Sequence, residues 1–433
     1  MGRRYRLYPT RTQEQVLTGW AHTARALWNT ALAQRIYVYE QRGRSVRAIE
    51  QCKSLTEARA DKELRWLAEL PAQSGQQILR RLDTAFDNFF NPEHPAGFPA
   101  FKRRGVRPSV SLPGQAVQVN KLNRHWAEVR LPKLGWVRFR LSRPLGGTVR
   151  NATVSRDGAG WHIAFGVAIG KKPTPPNTQP GCGVDFGVIA SAYVSTECQP
   201  RIKPPSLSVP EHSRLKHLEQ RKARQVTYAK KHNRGKYSNR LRATITQIAK
   251  LKSREASRRT EFTHQLTTDL AKNHGFVGIE DLRVTNMTAK ANSTAGQPNR
   301  GVGAKSGLNR SILDNCPGER RRQLEYKCPL YGSELVVVPA FHTSQTCAAC
   351  GQVDPASRKG CGRTFACVHC GYEDDADHNA SVEIEARARQ ELVLARARRT
   401  GGSVINSTHR RREASSSAPR RKRSRETQPA THG

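Results

Sequence analysis

From Cys347 to Asp377 the chain reads CAACGQVDPASRKGCGRTFACVHCGYEDDAD. Cys347-Ala-Ala-Cys350 and Cys367-Val-His-Cys370 are two knuckles of the CxxC type, sixteen residues apart, and the acidic run Glu373-Asp-Asp-Ala-Asp377 follows at once. Each knuckle offers two thiolates, and four thiolates in tetrahedral array make a closed structural zinc site. Cys347, Cys350, Cys367 and Cys370 are therefore the expected zinc ligands, with Cys361 and His369 as substitutes from the same stretch. Ten cysteines in 433 residues, with no secretory leader in view, fit a reduced, cytoplasmic protein better than a disulfide framework. Cys52, Cys182, Cys198, Cys316 and Cys328 lack such spacing and read as small buried or half-buried side chains.

Charge bounds the partner as the cysteines bound the metal. The chain holds 74 Lys+Arg against 35 Asp+Glu, a formal net charge of +39. An excess this large, spread over the whole length, calls for a polyanion, with counterion release driving salt-sensitive affinity. A membrane is the weaker partner, because no apolar run is long enough to span a bilayer and no lipidation signal is present. A hydrophobic content of 36% still supports two or three cores over this length.

Outward from the knuckles, the pattern divides the chain. Arg4-Tyr-Arg-Leu-Tyr-Pro9 alternates like a strand, and Thr10 or Thr12 with a glutamine three residues on starts a helix. Val16, Leu17, Trp20, Ala24, Leu27, Trp28, Ala31 and Leu32 recur at helical spacing, which makes both tryptophans core residues. Two further helices are expected, around Leu55–Leu70 and Ala72–Phe90, with the break at Pro71. Phe98-Pro-Ala-Phe-Lys-Arg-Arg104 mixes aromatics with bases, a combination suited to stacking and phosphate contact. From Arg107 to Ile169 the period is two, as in Trp136-Val-Arg-Phe-Arg-Leu141, with Asp157-Gly158 turning a hairpin, so an antiparallel sheet or small barrel is expected. Its alternating arginines would line one face for a phosphate backbone. A linker at 173–180 leads to Gly181-Cys-Gly-Val-Asp185-Phe-Gly187. A basic helical hairpin from Ser213 to about Asn273 turns near His232–Lys236, and Phe276-Val-Gly-Ile-Glu280-Asp-Leu282 follows. Thr285–Leu308 reads as a mobile polar loop. Beyond about Thr400 the chain is too poor in apolar residues to fold.

Asp185 and Glu280 each end a short apolar strand, an expensive place for an unpaired charge. Asp377 stands at the start of an expected helix, Asn379–Arg389. Carboxylates from three separate elements suit magnesium and the two-metal hydrolysis of a phosphodiester. Asp281, Asp374 and Asp375 compete for the same role, and spacing does not separate them.

These residues also carry a family likeness. Gly183-Val-Asp185-Phe-Gly187, Ile279-Glu280-Asp281-Leu282 with Asn286-Met287, Leu324-Glu-Tyr-Lys327, Thr343-Ser-Gln-Thr-Cys347, the two knuckles and Asp377-His-Asn-Ala380 resemble, in this order, the TnpB proteins of insertion sequences. Compact type V CRISPR effectors carry a similar series. Tyr5–Pro9, Trp28-Asn29, Leu82–Phe90 and Phe98–Lys102 extend the resemblance over nearly the whole chain except its tail. It implies an α+β multidomain fold: a wedge-type β-barrel (1–9 and 96–172) with an inserted helical recognition domain (10–95), then the linker. A RuvC-like, RNase H-type nuclease domain (181–342) with a basic helical insertion follows, then a zinc ribbon (343–372), a final RuvC-like segment (373–398) and a disordered basic tail (399–433). The implied function is an RNA-guided DNA endonuclease of a transposable element, with guide RNA and target double-stranded DNA as partners. Asp185, Glu280 and Asp377 match the family's catalytic, magnesium-binding acids, and the four cysteines match its zinc ligands. One departure is Ser381-Val-Glu-Ile384, where the family commonly has a second alanine and an Asn-Ile pair. Another is the longer spacer Gln352–Ala366, with Arg358, Lys359 and Arg363. The competing readings are a compact type V effector, a guided DNA-binding repressor that does not cut, and a DNA-binding accessory of transposition that uses no RNA.

Overall fold

The computed structural model describes residues 1–92, 96–104, 108–170, 174–188, 190–289 and 302–400. Strand β1 (Gly2–Tyr8) buries Tyr5 and Leu7. Helix α1 (Arg11–Arg42) starts at Thr10, whose hydroxyl accepts from the Gln13 N–H while the Gln13 side chain accepts from the Thr10 N–H. Its expected apolar face is buried, Trp20 and Trp28 included. The single helix expected over Leu55–Leu70 is instead two, α2 (Ala48–Ala60) and α3 (Arg65–Glu69). Asp61 adopts an extended backbone and accepts the Glu63 N–H on its carboxylate, a local turn that competes with the helix and that an apolar period does not register. Helix α4 (Ala72–Phe90) runs as expected from the break at Pro71.

Strands β2 (Ser109–Pro113), β3 (Gln118–Lys121), β4 (Trp126–Leu131), β5 (Gly135–Arg140), β6 (Thr148–Asp157) and β7 (Gly160–Ala168) join β1 in a seven-stranded antiparallel sheet ordered β2-β6-β7-β1-β5-β4-β3. β1 pairs with β7 along Gly2–Arg6 and with β5 at Leu7 and Tyr8. The two edge strands, β2 and β3, are joined by one turn at Gly114–Ala116, so the sheet is rolled on itself. The β6–β7 hairpin turns at Asp157–Gly160. Alternation holds along β5, where Val137 and Phe139 are buried and Arg138 and Arg140 exposed. Helices and sheet share one core.

The second unit begins with β8 (Cys182–Asp185) and β9 (Tyr193–Val194) and continues through α5 (Val209–His232) and α6 (Asn239–Asn273), the expected basic hairpin. Strand β10 (Phe276–Glu280), helices α7 (Val284–Met287), α8 (Val302–Asp314) and α9 (Pro317–Tyr331), and β11 (Glu334–Val338) follow. The sheet order is β11-β10-β8-β9, with β10 parallel to both β8 and β11 and β9 antiparallel at the edge. Leu266, Leu270, Val277, Ile279 and Leu324 pack its core. The expected loop Thr285–Leu308 is helical at 284–287 and from Val302, and its stretch from 290 to 301 lies outside the described residues. Only Ile312 of α8 is buried. The helix is tied down by polar contacts, Lys305 to the Met287 carbonyl and Asn309 to that of Thr288, so hydrophobic periodicity gave no sign of it. The described part of the linker, from Thr174, is docked rather than free. Thr174 and Asn177 donate side-chain hydrogen bonds to the carbonyls of Leu330 and Lys272.

The remaining strands are β12 (Arg358–Lys359), β13 (Thr364–Ala366) and β14 (Glu373–Asp375), a small antiparallel sheet that runs straight into α10 (Ala376–Thr400). That helix begins before the expected Asn379, because Asp375 accepts the backbone N–H groups of Asp377 and His378 and caps it, and it continues past Arg389. The tail from 401 lies outside the described residues.

Candidate metal centre and acidic site

The two knuckles fold alike. In each, the glycine after the second cysteine has positive φ (Gly351 75°, Gly371 74°) and returns its N–H to the first cysteine's carbonyl, at 2.8 and 3.0 Å. All four sulfurs lie within 4.8 Å of one another, with Cys347–Cys370 and Cys350–Cys367 each at 3.7 Å. Four sulfurs at about 2.3 Å from a tetrahedral zinc ion stand about 3.8 Å apart, so the set fits the metal. A disulfide would need about 2.05 Å. His369 turns away to Asp354, at 3.3 Å, and the side chain of Cys361 lies outside the described residues.

The acids are placed by glycines. Gly183 and Gly278 each stand two residues before an acid, Asp185 on β8 and Glu280 on β10, so glycine and acid share a sheet face. A Cβ on Gly183 would fall 2.1 Å from the Ser381 carbonyl oxygen, and one on Gly278 would fall 2.7 Å from the Ala388 Cβ. Helix α10 therefore lies directly on that face. Val184 pairs with Ile279, which sets Asp185 and Glu280 side by side at the strand ends. Asp377 stands one turn ahead of Ser381 on the packed side of α10, and its Oδ2 is 3.4 Å from where a Gly187 Cβ would lie. Ser381, the departure from the family pattern, is fully buried and spends its hydroxyl on the His378 carbonyl at 2.7 Å, so the close approach survives.

Burial pushes the Asp185 carboxyl up to about 8, the neighbouring Glu280 and Asp377 push the same way, and the Arg358 guanidinium opposes them. Glu280 is raised by burial against the hydrogen bond from Thr343 and the charge of Arg387. Asp377 is raised by burial and by Asp375, again against Arg358. The competing acids each have a partner of their own. Asp374 accepts from Tyr372 and His378 at 2.8 and 2.6 Å, Asp375 caps α10, and Asp281 pairs with Arg321. Half-buried carboxylates whose charge is disfavoured are offset by a divalent cation. Among the described residues only the thiols converge within 4.8 Å. The oxygens of the three acids form a more open set than the thiols.

Sequence reasoning gave no role to several residues that hold this site. Thr343, between β11 and the first knuckle, donates to Glu280. Asn379, fully buried on α10, accepts from the Ala348 N–H and donates to the Thr346 carbonyl, at 2.9 and 2.8 Å, locking knuckle to helix. Arg358 of the spacer is a base whose charge reaches Asp185 and Asp377. The Thr343–Cys347 and Asp377–Ala380 motifs contained the first two, but spacing alone does not say what a threonine or asparagine bonds.

Comparison with known families matches residues 164–291 to "Probable transposase" (OrfB of IS605), 318–384 to "Cas12f1-like, TNB domain" and 1–44 to "Helix-turn-helix domain". "Putative RNA-guided DNA endonuclease InsQ" of Escherichia coli K12 is 34% identical over 399 residues, covering 92% of this chain and 94% of that protein. The chain belongs to the TnpB family. A second relative, "Putative RNA-guided DNA endonuclease" of Streptomyces pristinaespiralis, is 31% identical over 88% of both chains. Cas12f1 of Sulfoacidibacillus thermotolerans, a CRISPR-associated endodeoxyribonuclease, is 26% identical over 47% of this chain and 44% of its own. In this TnpB chain the helix-turn-helix match covers one strand and one long helix, β1 and α1, with no second helix inside it.

Proposed function

We propose that the chain is an RNA-guided DNA endonuclease of a transposable element that hydrolyses target DNA with magnesium held by Asp185, Glu280 and Asp377. On this reading the four-stranded sheet with α10 is the RuvC-like nuclease core. The rolled sheet is the wedge-type barrel, and α1–α4 form its inserted recognition domain. The observation that carries the proposal is the paired Gly-x-acid arrangement on β8 and β10. It brings two carboxylates together under the N-terminal turn of α10, which supplies the third. When bound, a divalent cation there would lower the pKa of an attacking water and stabilise the departing oxygen. The chain's own part is to orient the three carboxylates, with Thr343 fixing Glu280, and to set the Arg358 charge beside them. Zinc held by the four cysteines would be structural, closing the ribbon from which α10 starts. Among the described residues no helix is long and apolar enough to cross a membrane, and the free thiols suit the cytoplasm. Full-length relatives named as RNA-guided DNA endonucleases, with the OrfB match, favour the transposon form over a CRISPR effector.

The test is to purify the protein with its flanking DNA transcribed, sequence the RNA that accompanies it, and offer a matched plasmid with magnesium. An RNA from the 3′ end of its own gene and a cut plasmid are expected. A CRISPR repeat in that RNA would move the protein to the effector branch. An intact plasmid beside a cut positive control would leave only guided binding.

A further inference from the structure

The hairpin of α5 and α6 has two halves of different character. Near its base acids are interleaved with the bases and several charges are paired: Glu219 with Lys252 at 2.7 Å, and Glu211 with both Arg254 and Arg258. From Gln220 to Lys250 there is no acidic residue and there are ten Lys and Arg. All ten are exposed, and none forms an ion pair among the described residues. A merely solvated basic face is normally interleaved with acids, as the base of this hairpin is, because unrelieved like charge repels itself. The apolar contacts that hold the two helices together run along the inside, through Leu215, Leu218, Ile248 and Leu251. The outer faces are left to the cations.

The tip adds aromatic rings to this charge. Tyr228 is 61% exposed and Tyr237 47% exposed. His232, also exposed, lies against Tyr228 with ring centroids 4.5 Å apart and planes inclined by 33°. Around them stand Lys230, Lys231, Arg234 and Lys236, and the turn between the helices takes positive φ at Arg234 and Gly235. Tyr228 and Tyr237 thus present ring surface to solvent among cations that form no ion pair among the described residues. Together they match a stacking platform for unpaired bases combined with a track for the phosphates between them.

We propose that the tip of the α5–α6 hairpin, Tyr228, His232 and Tyr237 with the surrounding cations, binds a single-stranded loop of the guide RNA by base stacking. This rests on the RNA-guided reading above and deepens it by naming where an unpaired stretch of that RNA is held. Fully paired RNA would engage the cations but hide its base faces from the rings. At 1.5 Å per residue, α6 spans roughly 50 Å, and its far end leads to β10 and Glu280. The tip is thus a binding site separate from the acids.

The test uses the full chain with three fluorescent probes of equal length: an RNA hairpin with an eight-nucleotide loop, the same RNA fully paired, and single-stranded DNA. The triple variant Tyr228→Ala, His232→Ala, Tyr237→Ala should lose about ten-fold or more in affinity for the looped RNA and bind paired RNA nearly as before. Tyr228→Phe with Tyr237→Phe should retain the looped RNA, since the ring and not the hydroxyl stacks. Unchanged binding of the looped RNA by the alanine variant would overturn the platform. Single-stranded DNA held as tightly as looped RNA, with the same loss in the variant, would overturn the assignment to RNA. The assay contains neither metal nor target, so a parent protein that fails to cut DNA would sink the nuclease reading and leave this result standing.

Discussion

Among the described residues the Glu280 carboxylate accepts one side-chain hydrogen bond, from the Thr343 hydroxyl, and this makes the threonine a test of the acidic site. Thr343→Val keeps the shape and removes the donor, so the carboxylate loses its orientation while the fold keeps its packing. Guided cutting should fall about ten-fold in kcat with RNA affinity unchanged, whereas Asp185→Ala should abolish cutting altogether. Lys327 tests a different kind of residue. It is buried, and its ammonium donates to the His264 carbonyl, the hydroxyls of Thr267 and Thr268, and the Gln323 side chain, at 2.7 to 3.1 Å. No carboxylate is among these partners, and burial lowers its pKa to about 8. The unfolded lysine keeps its proton to higher pH, so between pH 8 and 10.5 the unfolded state binds more protons and this group's contribution to stability rises with pH. Relative to Lys327→Met, the parent should gain about 2 kcal/mol on going from pH 7 to pH 9.5, read as the difference in urea midpoints. A flat difference would show that the ammonium is not desolvated.

Elements meet at this site through missing side chains. Gly183 and Gly278 admit α10 to the sheet, and a methyl group on Gly183 would meet backbone atoms that cannot turn aside. Gly183→Ala should destabilise the second unit by about 1–3 kcal/mol, and it should lower cutting more than that loss explains, because Asp377 moves with the helix. Zinc removal acts on the same helix from the other side, since Asn379 ties the first knuckle to α10. A strong chelator should therefore reduce cutting in excess magnesium, with recovery on adding zinc. Recovery with magnesium alone would break the link between ribbon and acid. Much of this was legible in the residues. The knuckles, the Thr10 cap, the period-two stretch and the basic hairpin were each written in local chemistry, and Asp185 and Glu280 stood at the ends of apolar strands. What escaped was set by contacts between distant elements. The packing of α10 on two glycines, the Asn379 link and the partners of Asp374 and Asp375 depend on neighbours that the sequence does not place side by side. The break at Asp61 and helix α8 escaped for a local reason, because polar side chains decide them and an apolar period is blind to those.

At the scale of the whole molecule, the rolled sheet and the second unit touch where the β6–β7 turn meets the first third of α6. A Cβ on Gly158 would lie 2.0 Å from the Ala249 carbonyl oxygen, so the turn rests directly on helix backbone. Glycine is needed here for the closeness of approach, not for its φ. Above this contact the distal hairpin carries its unpaired cations, and below it the helix leads to β10 and the acid on its last residue. The contact therefore sets the basic hairpin relative to the arginine-bearing sheet, two surfaces that a single nucleic acid would have to span. Gly158→Val should force the turn and helix apart while leaving both cores intact, since neither core includes this point. Hydrogen exchange should then quicken in the β6–β7 turn and around Ala249, with the strands of both sheets still protected. RNA affinity should weaken and its salt dependence should become shallower, because fewer phosphates are reached at once. Equal protection and an unchanged salt slope would mean that the two units hold their relation through other contacts.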